Sequence, residues 1–195
     1  MKGTKRMDEF EKEDLQQQEK DGQKPFNLKR EIISWILVVV TAFLLAFVTT
    51  HYVIIKAEVP SGSMENTIMT GDRIVGNRLA YLFSEPKRGD IVIFKFPDDE
   101  TQNYVKRVIG LPGETVQVTD GVVYINGEAL EEDYLKEEMY GDTEEFLVPE
   151  GCYFMMGDNR NSSYDSRKWD NSYVKEEKIL GKAWFRYSPS IGILK

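Results

Sequence analysis

An apolar run of 24 residues, from Ile32 to Ile55, contains no acidic side chain, lysine or arginine. At about 1.5 Å per residue, a helix of that length spans roughly 36 Å, enough for a bilayer core of about 30 Å. A buried helix of a soluble domain is usually shorter and carries a polar stripe. A cleavable signal peptide has a shorter apolar region followed by a small-x-small site, which is missing here. The sequence therefore predicts a retained membrane-spanning helix over residues 32–55.

Positive charge flanks this segment unevenly, with Lys24, Lys29 and Arg30 before it and Lys56 after it. The positive-inside rule then places the N-terminus in the cytoplasm. We predict a single-pass protein of the cell membrane, with residues 56–195 forming one domain on the outer face. Residues 1–31 hold eight basic and eight acidic residues and few apolar ones, a composition typical of a disordered cytoplasmic tail.

The counts of cysteine and histidine exclude several kinds of site, because the chain has one of each, Cys152 and His51. One cysteine allows no intramolecular disulfide and no thiolate zinc cluster. One histidine allows no multi-histidine metal site, and its position in the membrane segment removes the usual base of serine and cysteine peptidases. We expect no metal and no cofactor. The net charge of −8 argues against a nucleic-acid partner.

Short apolar runs separated by turn residues indicate a β-rich outer domain. No helical pattern of convincing length and no repeat occurs beyond the anchor. We therefore predict a mainly β fold, a compact β-barrel-like or antiparallel sheet catalytic domain preceded by one transmembrane helix. The acidic stretch Glu128–Glu145 is predicted to be a solvated excursion. Candidate strands are Arg73–Asn77, Asp90–Phe96, Asn103–Ile109, Thr115–Val118, Val122–Ile125, Cys152–Met156 and Ala183–Tyr187.

Serine–lysine chemistry is the remaining route to hydrolysis, since a desolvated lysine can take a proton from a serine hydroxyl. Ser84–Lys87 fits S-x-x-K, but that motif needs one continuous helix, and Pro86 interrupts it. A second candidate pair is Ser63, in a Pro- and Gly-bounded turn, and Lys106, in an apolar strand. Taken separately, these residues fit equally well an ordinary linker turn and a surface lysine.

Four sequence blocks follow the anchor in a fixed order, and with them the chain closely resembles the bacterial type I signal peptidases. The short outer domain and single anchor resemble the Gram-positive form. Asn66 departs from the family pattern, which has proline at that position. The blocks are residues 59–67 (VPSGSMENT), 71–75 (GDRIV), 88–114 (beginning RGDIVIF and ending YVKRVIGLPGE) and 157–167 (GDNRNSSYDSR).

The resemblance implies a role for each matching residue. Ser63 corresponds to the nucleophile and Lys106 to the general base. The Ser61 hydroxyl and the Ser63 backbone N–H correspond to the oxyanion hole. Catalytic support is implied for Ser163, which orients the lysine, for the ion pair of Asp165 and Arg167, and for Asp158 and Arg107. Positions lining the substrate pockets are Val59, Met64, Ile68, Tyr104 and Val105.

The function implied by the resemblance is that of a membrane-anchored serine endopeptidase. It removes N-terminal signal peptides from secretory pre-proteins after small-x-small sites, so its expected partners are these signal peptides and the lipid bilayer. A catalytically inactive, signal-peptidase-like β module that acts as a binding partner is the alternative. A self-cleaving Ser-Lys repressor fits less well, because it should lack an anchor and carry a DNA-binding domain. The sequence leaves the oligomeric state open.

Overall fold

The structure, a computed structural model, describes residues 27–194. One long helix and two antiparallel sheets are the main elements of this part of the chain. Helix α1 spans Leu28–Val48 and continues as a π-helical turn over Thr49–Val53. This 26-residue stretch is long and apolar enough to cross a membrane, which is compatible with the predicted anchor. The predicted tail over residues 1–31 lies outside the described residues, except for residues 27–31.

The apolar segment has different ends in the structure from those in the sequence prediction. Helix α1 begins at Leu28, four residues before the predicted start. Ile54 and Ile55 leave the helix and enter a strand, in which Ile55 is buried against a neighbouring strand. An unbroken apolar run cannot reveal this change, because a buried β-branched strand and a membrane helix have the same composition.

Twelve strands follow within the described residues, and the predicted mainly β, antiparallel fold is confirmed. The larger sheet has the order β1-β2-β11-β3-β4-β9-β10, with β12 paired to β11, and the smaller sheet has the order β7-β6-β5-β8. The strands are β1 (Ile54–Glu58), β2 (Arg73–Asn77), β3 (Ile91–Phe96), β4 (Asp99–Gly110), β5 (Thr115–Thr119), β6 (Val122–Ile125), β7 (Glu128–Ala129), β8 (Phe146–Leu147), β9 (Cys152–Met156), β10 (Tyr173–Lys175), β11 (Ile179–Ser188) and β12 (Gly192–Ile193).

The central strands of the larger sheet are apolar on both faces, which places most of their side chains in the core. β3 runs as Ile-Val-Ile-Phe with all four residues buried. One face packs against a cluster that includes Met64 and Ile68, and the other packs against a cluster around Trp169. β3 therefore has apolar layers on both sides, and its neighbour β4 is held in a fixed register beside it.

The prediction of a solvated acidic excursion over Glu128–Glu145 is wrong for the middle of that segment. The Glu132 side chain is only 5% exposed and pairs with Arg160, which is fully buried. Met139 is buried in a core cluster with residues of the smaller sheet. A count of acidic residues in the sequence missed this packing, because the basic partner of Glu132 lies 28 positions away.

Candidate active site

Ser63 lies in a single 3-10 turn, Gly62–Met64, that is joined to the end of β1 by residues 59–61. Ser61 precedes the turn in extended conformation, and Pro60 limits the backbone before it. Met64 is completely buried and packs with Ile68 in the core cluster beneath the turn. Because an apolar side chain secures one side of this short turn, the neighbouring serine is held in a defined position.

Lys106 meets this turn from β4, where it pairs with Val92 of β3. Its side chain is 3% exposed, and Nζ donates a hydrogen bond to Ser63 Oγ. Burial lowers the pKa of Lys106 to about 8, against the opposing negative charges of Asp165 and Asp158. A lysine with this pKa is substantially neutral at mildly alkaline pH, which is what a general base requires.

Two buried ion pairs lie around Lys106. They limit the effect of the Asp158 and Asp165 carboxylates on the pKa of Lys106. Arg107 contacts Asp158 through two hydrogen bonds of 2.8 and 2.7 Å. Arg167 contacts Asp165 in the same bidentate manner, at 2.8 Å for both bonds. Burial alone raises the pKa of Asp165, but the hydrogen bonds and charge of Arg167 outweigh it and hold that pKa below its usual value. The Asp165 carboxylate therefore stays ionised beside the Arg167 guanidinium.

Ser61 and Ser163 lie near Ser63 and Lys106 but have different surroundings. Ser61 is exposed, and its Oγ lies 3.3 Å from Ser63 Oγ. Ser163 is buried and lies close enough to Asp165 to help lower the pKa of that carboxyl. Among residues 27–194 its Oγ forms no hydrogen bond with Lys106, so the contact predicted to orient the lysine is not seen. A β-carbon added at Gly157 would overlap both the Ser163 hydroxyl and the Ser63 carbonyl oxygen. Ser163 therefore packs close to the nucleophile turn, with Gly157 filling the narrow space between them.

Asn159 is a residue of the site that the sequence reasoning did not single out. Its backbone N–H donates to Ser63 O at 3.1 Å, and its Nδ2 donates to Gly62 O at 2.9 Å. These two bonds fix both carbonyls of the turn that carries the nucleophile. Asn159 lies within the block of residues 157–167, but polar residues of this kind are also ordinary turn formers, so no signal specific to this position was present in the sequence.

A cleft of about 510 Å³ opens in front of Ser63 and Lys106. The cleft is lined by residues of β1 and the following loop and by the middle of β4. Of the predicted pocket residues, the cleft is lined by Val59, Tyr104 and Val105. Met64 and Ile68 are fully buried in the core beneath it. The structure therefore separates the five predicted residues into three that a ligand could touch and two that support them.

His51 and Ser84, the other residues considered as catalytic candidates, have different surroundings from Ser63 and Lys106. His51 lies in the turn at Thr49–Val53, where its ring stacks on Phe47. Ser84 is exposed in an irregular loop, so the S-x-x-K spacing does not form on a helix. In the part of the chain that is described, no group of three or more histidine, cysteine, aspartate or glutamate residues could hold a metal ion.

Comparison with known proteins gives one consistent result. The family model described as signal peptidase, peptidase S26, matches residues 32–188. The probable signal peptidase I-1 of a Synechocystis strain is 38% identical over 85% of this chain and 86% of its own length. The signal peptidase I of Bacillus licheniformis is 36% identical over 86% of this chain and 94% of its own length. A crystal structure of a signal peptidase I from Enterococcus faecalis is 42% identical and covers 51% of this chain and 97% of that chain, with a TM-score of 0.44.

Proposed function

Since this chain belongs to the signal peptidase family, peptidase S26, we propose that it cleaves signal peptides with Ser63 as nucleophile and Lys106 as general base. The chain is a serine endopeptidase that acts on secretory pre-proteins. The buried hydrogen bond between Lys106 Nζ and Ser63 Oγ is the observation that carries the assignment of roles. Both functional groups are present, so nothing favours the alternative of an inactive binding module.

The reaction follows from this geometry. Neutral Lys106 accepts the Ser63 proton as Oγ attacks the carbonyl carbon of the scissile peptide bond. The resulting ammonium then donates a proton to the leaving amine, which departs as the new N-terminus of the mature protein. In the second half of the cycle, water attacks the acyl-enzyme ester and Lys106 accepts the proton of the water. The ester C–O bond then breaks, the signal peptide leaves with a new C-terminal carboxylate, and the Lys106 ammonium returns the proton to Ser63 Oγ. Every proton passes through the same Nζ, so no second titrating group is required.

The oxyanion formed in each step needs hydrogen-bond donors that are already in position. We assign this role to the Ser63 backbone N–H and the Ser61 hydroxyl. The Ser61 Oγ lies 3.3 Å from the attacking atom, within reach of a carbonyl oxygen on the carbon that Ser63 attacks. Asn159 supports the arrangement because it fixes the Gly62 and Ser63 carbonyls and hence the plane of the Ser63 N–H.

A preference for small residues before the cleavage site is proposed from the side chains that line the cleft. Val59 and Val105 are β-branched and line the cleft. Met64 and Ile68 already fill the space below it. The proposed specificity is for small-x-small sites, because branched apolar side chains line the cleft beside the nucleophile.

The membrane orientation is proposed to follow the charge distribution, with the N-terminus in the cytoplasm and the peptidase domain outside. Ser63 lies ten positions beyond Val53, a reach of at most about 36 Å. The loop after β2 returns to the helix end, because Arg78 N–H donates to Val53 O at 2.8 Å. Leu82 and Phe83 are exposed in this loop.

The decisive experiment incubates the detergent-solubilised full chain with a purified pre-protein that carries an Ala-x-Ala site. We expect a single cut after the second alanine, identified by sequencing the new N-terminus of the product. A pre-protein with phenylalanine in place of that alanine is the matched control and should remain uncut. Intact pre-protein in both reactions would instead support the inactive binding module.

The cleavage rate is expected to rise with pH up to about 8, the pKa of Lys106, and then to level off. The direction follows because only the neutral amine can accept the Ser63 proton. A profile of kcat/KM against pH reports this ionisation in the free enzyme. A rate that stays constant between pH 6 and about 9 would contradict a lysine base.

Replacement of Ser61 by alanine is expected to reduce kcat by about 10²–10³-fold while KM changes little, because the hydroxyl donates most strongly to the transition state. Ser61 is exposed, so the fold should be unaffected. Steady-state kinetics measure the effect, and Ser61→Thr, which keeps the hydroxyl, should recover part of the lost rate. An alanine variant with normal kcat would remove Ser61 from the oxyanion hole.

A further inference from the structure

Residues 131–140, here called the strap, run along the side of the site away from the substrate cleft. The strap is attached at several points to the segments that carry the catalytic pair. Glu132 pairs with buried Arg160, and Tyr134 Oη donates to Glu132 at 2.5 Å. The Lys136 side chain forms an ion pair of 2.8 Å with Glu65. None of the strap residues lines the cleft, so any effect on catalysis must be transmitted through neighbours.

The first connection joins the strap to the nucleophile segment. Asn66 lies three residues after Ser63, and its Nδ2 donates to the carbonyls of Tyr134 at 3.0 Å and Leu135 at 3.3 Å. The Asn66 backbone has φ of 93°, in the left-handed region that asparagine tolerates and proline cannot adopt. An amide at this position can therefore reach the strap only because the backbone takes this turn.

The second connection joins Tyr134 of the strap to β4, the strand that carries Lys106. The guanidinium of Arg107 lies 3.8 Å from the centre of the Tyr134 ring. Arg107 is the residue after Lys106, and its guanidinium also donates to Asp158 and to the Gly89 carbonyl. Thr67, the residue after Asn66, also donates to Asp158 at 2.5 Å. Tyr134 thus contacts both catalytic segments, one through its carbonyl and the other through its ring.

We propose that Tyr134 and Asn66 are positioning residues for catalysis, which hold the Ser63 turn and the Lys106 strand in register through the strap. The proposal rests on the proposed roles of Ser63 and Lys106. The nucleophile and the base come from segments 43 positions apart. The strap is one shared contact of both segments, beside Asp158, which Thr67 and Arg107 both contact. A displacement of about 1 Å between reacting groups can cost on the order of a hundredfold in rate.

The Asn66→Gly variant tests the first connection, because glycine accepts the left-handed backbone but removes both amide hydrogen bonds. We expect kcat to fall about tenfold or more, with KM nearly unchanged and the melting temperature close to that of the wild type. Tyr140→Ala, at an exposed position on the same strap, is the matched control and should keep the wild-type kcat. A folded Asn66→Gly protein with wild-type kcat overturns the proposal.

The second connection is tested by Tyr134→Ala and Tyr134→Phe. Loss of the ring loosens Arg107 from Asp158, which leaves more negative charge facing Lys106. The acid limb of kcat/KM should then shift to higher pH, whereas Tyr134→Phe should keep the wild-type profile. NMR titration of isotopically labelled Lys106 follows the same ionisation without requiring cleavage, so failure of the proposed function would be recognised separately. An unchanged Lys106 titration in folded Tyr134→Ala overturns the role of the ring.

Discussion

Ser63→Ala is expected to lose all measurable cleavage, a fall in kcat on the order of 10⁶ if this serine is the nucleophile. The β-carbon stays in place, so the turn and the core packing of Met64 are retained. The missing atom is the one that forms the acyl-enzyme bond, and no nearby hydroxyl has the same contact with Lys106. Product formation from a pre-protein, followed over hours at high enzyme concentration, gives the measurement.

The control for this variant is Ser84→Ala, since Ser84 is an exposed serine in a loop and contributes nothing to the proposed reaction. It should cleave at the wild-type rate. The Ser63→Ala protein should still bind pre-protein, because the cleft walls are unchanged. If it instead cleaved at the wild-type rate, another group would have to be the nucleophile and the assignment of Ser63 would be wrong.

Lys106→Met is expected to abolish cleavage to a similar extent while making the protein more stable at neutral pH. Methionine fills a similar volume but cannot accept a proton. The stability gain follows from linkage, because the pKa of Lys106 falls from 10.5 to about 8 on folding. Below pH 8 the folded protein holds a charged, desolvated lysine at a cost on the order of 3 kcal/mol. That cost declines as the pH rises from 8 and vanishes above 10.5.

Thermal unfolding at pH 7 and at higher pH separates these two effects. The advantage of Lys106→Met over the wild type should be largest at pH 7 and should shrink as the pH is raised. Lys95→Met, on the adjacent strand, is the matched control and should show neither loss of cleavage nor this pH dependence. A Lys106→Met protein that is inactive and also less stable at pH 7 would indicate a structural lysine rather than a desolvated base.

Strands whose apolar and polar residues alternate, or which have turn residues at both ends, were predictable from the sequence. β2, β6 and β9 have the predicted bounds, because glycine, asparagine and charged residues punctuate them on both sides. β1 was hidden, because its first two residues continue the composition of the anchor. The strap was also missed, since buried ion pairs depend on partners that only the tertiary fold brings together.

The same distinction applies to the site. Ser63 and Lys106 were found because the motif blocks have a characteristic order, and their contact could then be anticipated. Tyr134 makes its contact with Arg107 through a ring face, and Asn159 makes its contacts through a main-chain N–H and a side-chain amide. Contacts of these kinds leave no pattern in a single sequence. Met64 and Ile68 were assigned to the pocket, although the structure shows that they support it from below.

Gly157 carries no functional group, yet its position leaves little freedom for sequence change. Any side chain there would meet the Ser63 carbonyl and the Ser163 hydroxyl, and neither neighbour can retreat from a packed core. Random mutagenesis should therefore yield few active variants at this codon and many at the codon of Tyr140, which is exposed and does not line the cleft. Tolerance to mutation in this enzyme depends on available space as much as on chemistry, and a residue without a side chain belongs among the least replaceable.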